Sequence, residues 1–576
     1  MKRRKALGPG RGVALVALLM GTWCTGTTTA QTARDTAQSA AEQRRAEERD
    51  TRQRELAVPE REVAQDTPEA QPAPGLPVDE APCFVIQQIE LRGDTTGRFG
   101  WVLDALAGPD GLDGPLRRCL GSAGIGVLLQ RAQHALVARG FVTSRVMVEP
   151  QDLQPGRLSL TVVPGRIQQV RFADPSAPHP SARSALAAQP GNLLNLRDIE
   201  QALENFKRVP GVDVDIQIVP AEAPGLSDLV IDWQQGRPVR LQLGVDDGGS
   251  RSTGRYQGSA TLSVDNPLAL NDLFYVGLQG SLGGGDAGAR GTRGSSWHYS
   301  LPWGRALFAI DVSRHRYLQT VAGAAQDYSY RGTTGSQEAT LSWLVHRDAS
   351  SKTTLHTKAF ARQSRNFIDD TEVEVQRRRV GGWQLGVGHR AYVGPGTLDL
   401  NLNYRRGTGA FGSLRAPEEA FGEGTSRFAL VLASAQWHWP FKLGAQPWQF
   451  NSQWRAQTHR TPLAPQERFA IGGRHTVRGF DGEGSLSADS GWFVRNELAT
   501  PLGDSGTSVF AGLDHGQVRG PSAPQLVGTR LTGAVIGLRG STGGVQGELF
   551  AGWPLHKPEG FRTANATLGF WFATGF

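Results

Sequence analysis

The sequence predicts a transmembrane β-barrel of about 16 antiparallel strands, preceded by two small α/β modules and a polar N-terminal helix. Three observations carry that expectation. From about residue 237 onward, apolar and polar residues alternate over roughly 340 positions. The chain opens on a leader of the kind that directs export. It closes on Ala564, Ala566, Leu568, Phe570, Phe572 and Phe576, all on one strand parity and ending on a terminal Phe. A soluble sandwich also alternates, but it needs neither the leader nor an apolar face of this extent.

Composition bounds the alternatives. The chain has 576 residues, enough for several domains, with 39% hydrophobic residues. A mean hydropathy of -0.33 excludes a bundle of membrane helices. Gly is frequent at 73 and Met rare at 3, which suits strands joined by many turns. Lys and Arg total 61 against 54 for Asp and Glu, a net +7 that is modest for this length. With no nucleic-acid motif, no nucleic-acid partner is expected.

Residues 1–30 read as a cleaved signal peptide. Lys2-Arg3-Arg4-Lys5 precede an apolar run from Val13 to Met20, and small residues continue to Ala30. That run is far shorter than the roughly 20 residues a spanning helix needs. Lipid attachment at Cys24 is disfavoured by the bulky Trp23 before it. Residues 31–57 are rich in helix-forming Ala, Gln, Glu and Arg, yet Thr32 to Arg54 contain no Leu, Ile, Val, Phe or Met. A helix there has no stripe to bury in a core. It is either solvated, disordered or lodged in a polar lumen. Residues 58–81 form a linker, broken by Pro59, Pro68, Pro72, Pro74 and Pro77.

The first α/β module covers 82–165. Val85, Ile89 and Leu91 share one strand parity. Gly126 to Arg139 read as a helix stopped by Gly140, and Val142–Val148 and Leu158–Val163 as strands. The second module, 166–236, repeats the order β-α-α-β-β, with Ile199, Leu203 and Phe206 on the core face of a helix. Cys83 and Cys119 survive removal of the leader. In an oxidising compartment they read as a disulfide, against two buried free thiols.

The barrel follows at 237–576. Ala306/Phe308/Ile310/Val312 and Leu398/Leu400/Leu402/Tyr404 are typical apolar faces, with Ser, Thr, Asn, Gln, Arg and Asp between them. About 20 residues per strand with its share of loop gives about 16 strands. One stretch departs from this texture: Ile471-Gly472-Gly473-Arg474-His475-Thr476-Val477-Arg478-Gly479-Phe480. Its glycines permit a sharp turn or a close backbone approach.

Several stretches in the right order identify a resemblance. They are CFVIQQIELRG with a later CLG, ARGFVTSRVMVEPQDLQPGRLSLTVVPGRI, DDGGSRSTGRYQGSATLSVDNPLALNDL and ERFAIGGRHTVRGF. The chain resembles the two-partner secretion transporters of haemolysin-activator (TpsB) type, over almost everything after the leader. The resemblance implies that the modules are periplasmic POTRA domains and that the barrel has 16 strands in the outer membrane of a Gram-negative bacterium. It implies that the polar helix plugs the lumen and that Gly472, Gly473, Val477, Arg478, Gly479 and Phe480 tip an extracellular loop folded back into the pore. An arginine in that loop, here Arg478, would pair with an aspartate of the inner wall, here Asp514, followed by Gly516. Strand parity agrees: Val509, Ala511 and Leu513 share the lipid side, so Asp514 faces inward, as do Arg495 and Glu497.

No enzyme site is expected. His475 and His515 lack companion ligands for a metal, Asp369-Asp370 reads as a solvated loop, and no phosphate loop or cofactor motif is present. The expected function is secretion of one large exoprotein (a haemolysin, adhesin or toxin) by a monomeric channel without ATP. The modules would bind the cargo's N-terminal domain. The alternatives are a barrel-insertion factor of the same superfamily and a passive porin, which needs no α/β modules.

Overall fold

A computed structural model describes residues 37–57, 62–63, 74–94, 97–323 and 325–576. The signal peptide expected at 1–30 and most of the linker lie outside the described residues, while the N-terminal helix is described over 37–57.

The first module is a three-stranded sheet, Gln88–Arg92 parallel to Arg157–Val163 and Arg145–Met147 antiparallel to it, covered by the helix Ser122–Ala138. Leu128, Ala132 and Leu136 of the helix pack on Leu158, Leu160 and Val162 of the central strand. Gly140 ends the helical segment in the left-handed region, φ 87°. One expectation is corrected here. Val85 does not share a strand with Ile89 and Leu91: Phe84–Val85 pairs instead with Cys119–Leu120. The break follows Ile86, where the amides of Gln87 and Gln88 both donate to the Gly156 carbonyl. Ile86 turns into the core and leaves Val85 exposed. Cys83 and Cys119 form a disulfide across this short ladder, with Cα atoms 5.2 Å apart.

The second module has the order Arg166–Phe172, Leu226–Gln235, Val212–Pro220 in its sheet. The helix Leu196–Lys207 starts at Asn195, whose side chain accepts from the Arg197 amide. It buries Ile199, Leu203 and Phe206. Its other side rests on the barrel's short turns. Arg347 reaches Glu200 and Glu204, Lys352 reaches Glu204, and Asn205 donates to the Gly304 carbonyl at 2.7 Å.

Sixteen antiparallel strands then close on themselves, the last, Thr567–Gly575, pairing with the first, Val239–Asp246. Alternation fixes which face is which. Phe308, Ile310 and Val312 are exposed on the outside, while His298, His315 and Thr292 are buried inside. Ala564 and Ala566 precede the last strand instead of belonging to it, and the terminal Phe576 is exposed beside Leu241. Trp303, Trp343, Trp437 and Trp439 gather at the module end of the barrel, the position of an interfacial aromatic girdle.

Candidate functional site

The barrel is not empty. The segment between the strands Gln446–His459 and Ser490–Pro501 folds back between its walls. The short ladder Phe469–Ile471 with Leu486–Ala488 forms its stem. At its tip Gly472 adopts φ 110° and the Thr476 hydroxyl accepts from the amides of Gly472 and Gly473, closing a tight turn. Val477 and Phe480 are buried among Ile471, Phe493, Leu531 and Phe561. The Phe480 and Phe561 rings meet edge to face at 5.8 Å.

This apolar seat aims Arg478 at the wall. Its Nε and Nη2 donate to the two oxygens of Asp514 at 2.8 and 2.9 Å, and its backbone amide donates to Oδ2 at 2.9 Å. Nη1 donates to Glu497 at 2.6 Å. Glu497 also accepts from Arg539, which continues to Glu548. Arg495 stands 3.9 Å from Asp514. Arg478 is 5% exposed and Asp514 is fully buried. A buried charge needs this many donors and acceptors around it, because each unsatisfied one costs desolvation.

Wall glycines make the approach possible. A Cβ on Gly533 would lie 1.9 Å from the Arg478 carbonyl oxygen, and one on Gly512 2.5 Å from Arg478 Nη2. Gly516 admits Val477: its Cβ would come within 2.9 Å of the valine methyl. Gly479 itself adopts φ 95°, and a side chain there would meet the Trp553 carbonyl. Arg474, on the same loop, forms an ion pair with Asp247 just beyond the first strand.

The helix of residues 37–57 lies beside this loop within the barrel. Its contacts are mostly polar, with Ala40, Ala46 and Ala57 buried and the Arg52 guanidinium 4.1 Å over the Trp571 ring. Arg45 donates to the Gly482 carbonyl of the loop at 2.6 Å, Glu42 accepts from Ser250 at 3.1 Å, and Asp50 meets His315 at 2.8 Å. Gln53 bonds Thr261 at 2.7 Å, and Arg54 pairs with Asp311 at 3.0 Å. The missing apolar stripe thus corresponds to a helix sheathed by polar wall residues. Such contacts are individually weak and can be exchanged for water.

The loop residues named from the sequence, Gly472 to Phe480, meet Asp514 and Gly516 at one place. Among the described residues, no three or more His, Cys, Asp or Glu side chains gather as a set that could hold a metal ion. Sequence reasoning did not single out Arg539, Glu548, Gly512 or Gly533. The signal was available, since Gly and charged residues on the inward parity of adjacent strands mark a wall that something approaches.

Comparisons with known proteins agree with this architecture. Residues 225–540 match the family described as haemolysin secretion/activation protein ShlB/FhaC/HecB. Residues 84–165 match the ShlB-type POTRA domain, and 166–220 a POTRA domain. The outer membrane transporter CdiB-2 of Burkholderia pseudomallei (strain 1026b) is 36% identical over 543 residues, 91% of each chain. The haemolysin transporter protein HpmB of Proteus mirabilis is 25% identical over 460 residues, 78% of each chain. The solved structure of CdiB from Acinetobacter baumannii superposes with a TM-score of 0.81 at 29% identity, covering 94% of this chain and 99% of that one.

Proposed function

Because the chain belongs to the haemolysin secretion/activation family ShlB/FhaC/HecB, an outer-membrane transporter family whose POTRA domains are periplasmic, we propose how this member moves its cargo. The protein is a two-partner secretion transporter that exports a partner exoprotein. The cargo is a large secreted protein of haemolysin, adhesin or toxin type, entering through its N-terminal domain. It crosses as an extended chain through a single barrel acting as a monomer in lipid.

The observation that carries this reading is the polar helix inside the barrel, 37–57, which contacts wall and loop through side-chain hydrogen bonds and ion pairs. A permanent structural element would bury apolar surface; a removable one need not. Displacing it exposes mainly groups that water can satisfy, with little apolar surface beyond Ala40, Ala46, Ala57 and the Trp571 ring.

Capture occurs at the modules. Gln88–Arg92 and Val212–Pro220 each pair on one side only. An unfolded cargo segment adds there as a further strand, with backbone hydrogen bonds supplying affinity. Energy comes from folding of the cargo outside the cell, without ATP and without catalysis by this chain. Arg478, Asp514 and Gly516 hold the loop at the wall, while Gly472, Gly473, Val477, Gly479 and Phe480 shape and seat its tip.

Co-expression with a candidate large exoprotein, sought in the neighbouring reading frames, tests the reading. Export of that protein to the medium, lost when either module is deleted while the barrel remains in the membrane, is the expected result. Equal export without the modules would refute it.

A further inference from the structure

The outer wall of the barrel changes character abruptly on one side. On the fifth strand, Ala306–Ala322, the outward residues Phe308, Ile310 and Val312 are followed by Arg314 and Arg316. The register carries this change around the barrel. Arg316 lies directly opposite Arg293 of the fourth strand, Gly291–Trp303, and opposite Thr333 of the sixth, Asp327–Arg347. Thr333 faces Arg365 of the seventh strand, Ser351–Ile368, and Arg331 is the next outward residue beside it. Arg379 of the eighth strand, Arg378–Val393, sits opposite Gln363, the outward neighbour of Arg365. All six arginines are exposed, and the alternating residues Thr292, His315 and Ser364 are buried inside.

Their height is that of a membrane surface. From Ala306 at the module end to Arg314 is about 20 Å along the barrel axis, at ~3.4 Å per residue on a strand tilted by ~40°. The apolar band of such barrels is about 25 Å tall. Arg314 and Arg316 therefore stand at its far edge, the outer leaflet of the outer membrane.

Their charge is offset only in part: Glu372, held by Arg377, also interacts with Arg365. Arg293 and Arg316 form a direct cross-strand pair of like charge, which by itself destabilises a sheet. Among the described residues, none of Arg293, Arg314, Arg316, Arg365 and Arg379 forms a salt bridge with an acidic side chain, and Arg331 reaches only Asp370, which is almost wholly exposed. A multivalent anion between them converts that repulsion into attraction, and the planar guanidinium matches a phosphate bidentately.

We propose that this arginine belt binds the phosphorylated headgroup of lipid A, the lipopolysaccharide anchor of the outer leaflet, with the acyl chains lying on the apolar band below. An ordinary anionic phospholipid offers one diester phosphate per headgroup. The two phosphomonoesters of lipid A span neighbouring strands and match several guanidiniums at once.

The test is native mass spectrometry of the full-length protein in mild detergent, titrated with bisphosphorylated lipid A, its dephosphorylated form and phosphatidylglycerol. The expected result is binding of bisphosphorylated lipid A about tenfold or more tighter than either other lipid. The triple variant Arg293→Gln, Arg316→Gln, Arg365→Gln should lose that preference while its barrel still shows heat-modifiable mobility on a gel. Equal binding of the three lipids by the unaltered protein would overturn the proposal, as would an intact preference in a folded triple variant. If the variant does not fold, the comparison of lipids on the unaltered protein decides alone.

Discussion

Arg478 and Asp514 are joined by three hydrogen bonds, and one of them comes from the arginine's own backbone amide. The carboxylate therefore fixes the position of the loop as well as the direction of one side chain. Replacing Arg478 by Ala leaves Asp514 without its main cation and takes from Glu497 one of its two arginines, Arg539 remaining. Breaking one partner of a buried pair costs about 3–5 kcal/mol, here borne by the seating of the loop and not by the strand ladders. Expected is a barrel at normal membrane level with strongly reduced export. Arg478→Lys should behave similarly, because an ammonium cannot span both carboxylate oxygens as the guanidinium does. Secreted cargo and membrane-embedded barrel, quantified in one strain, check both.

Gly533 gives a steric test of the same contact without removing any charge. A Cβ at this position would fall 1.9 Å from the Arg478 carbonyl oxygen, and backbone cannot yield that far. Gly533→Val should unseat the loop, raising single-channel conductance in planar bilayers while Arg478 and Asp514 remain in the sequence. Unchanged conductance would mean that the wall opposite the loop is not closely packed.

The disulfide closes a segment with a sequence separation of 36 between Cys83 and Cys119. On the chain-entropy account, a loop of that size contributes about 3–4 kcal/mol. Replacing both cysteines by Ser should lower the first module's resistance to denaturant by about that amount, leaving the barrel transition unchanged. Maleimide labelling of the exported protein should require prior reduction.

Acid should loosen the same module. Asp113 accepts the Leu76 amide at 2.8 Å and is held by Arg131, and these two interactions keep its carboxyl below the usual carboxylate range. A carboxyl depressed by folding stabilises the folded state above its unfolded value, near about 4. That contribution disappears as pH falls through the lower folded value. Amide exchange at Leu76 should therefore accelerate relative to its intrinsic rate on acidification, and Asp113→Asn should flatten the dependence.

The barrel was legible because one face meets lipid and the other water, so Phe308/Ile310/Val312 and their counterparts carry a period of two over most of each strand. The helix was legible by what it lacks: without an apolar stripe, a polar lumen was one of three places left for it. Arg478 stood out because glycines frame it, whereas Asp514 came from the family resemblance, with strand parity in agreement. The break between Val85 and Ile89 was not legible, since it depends on the Gly156 carbonyl from a distant turn. The inward parity of Glu497, Arg539 and Glu548 could be read from the sequence, but not their connection, since they lie on three strands and meet only through register.

The claim that the helix must leave for cargo to pass is tested most directly by locking it in place. Asp50 on the helix and His315 on the wall meet side chain to side chain at 2.8 Å. With Asp50→Cys and His315→Cys joined by a short bifunctional thiol reagent that reductant can cleave, secreted cargo should fall to the background of a strain lacking the transporter, and reduction should restore it. Undiminished export through a population shown to be fully cross-linked would contradict the account.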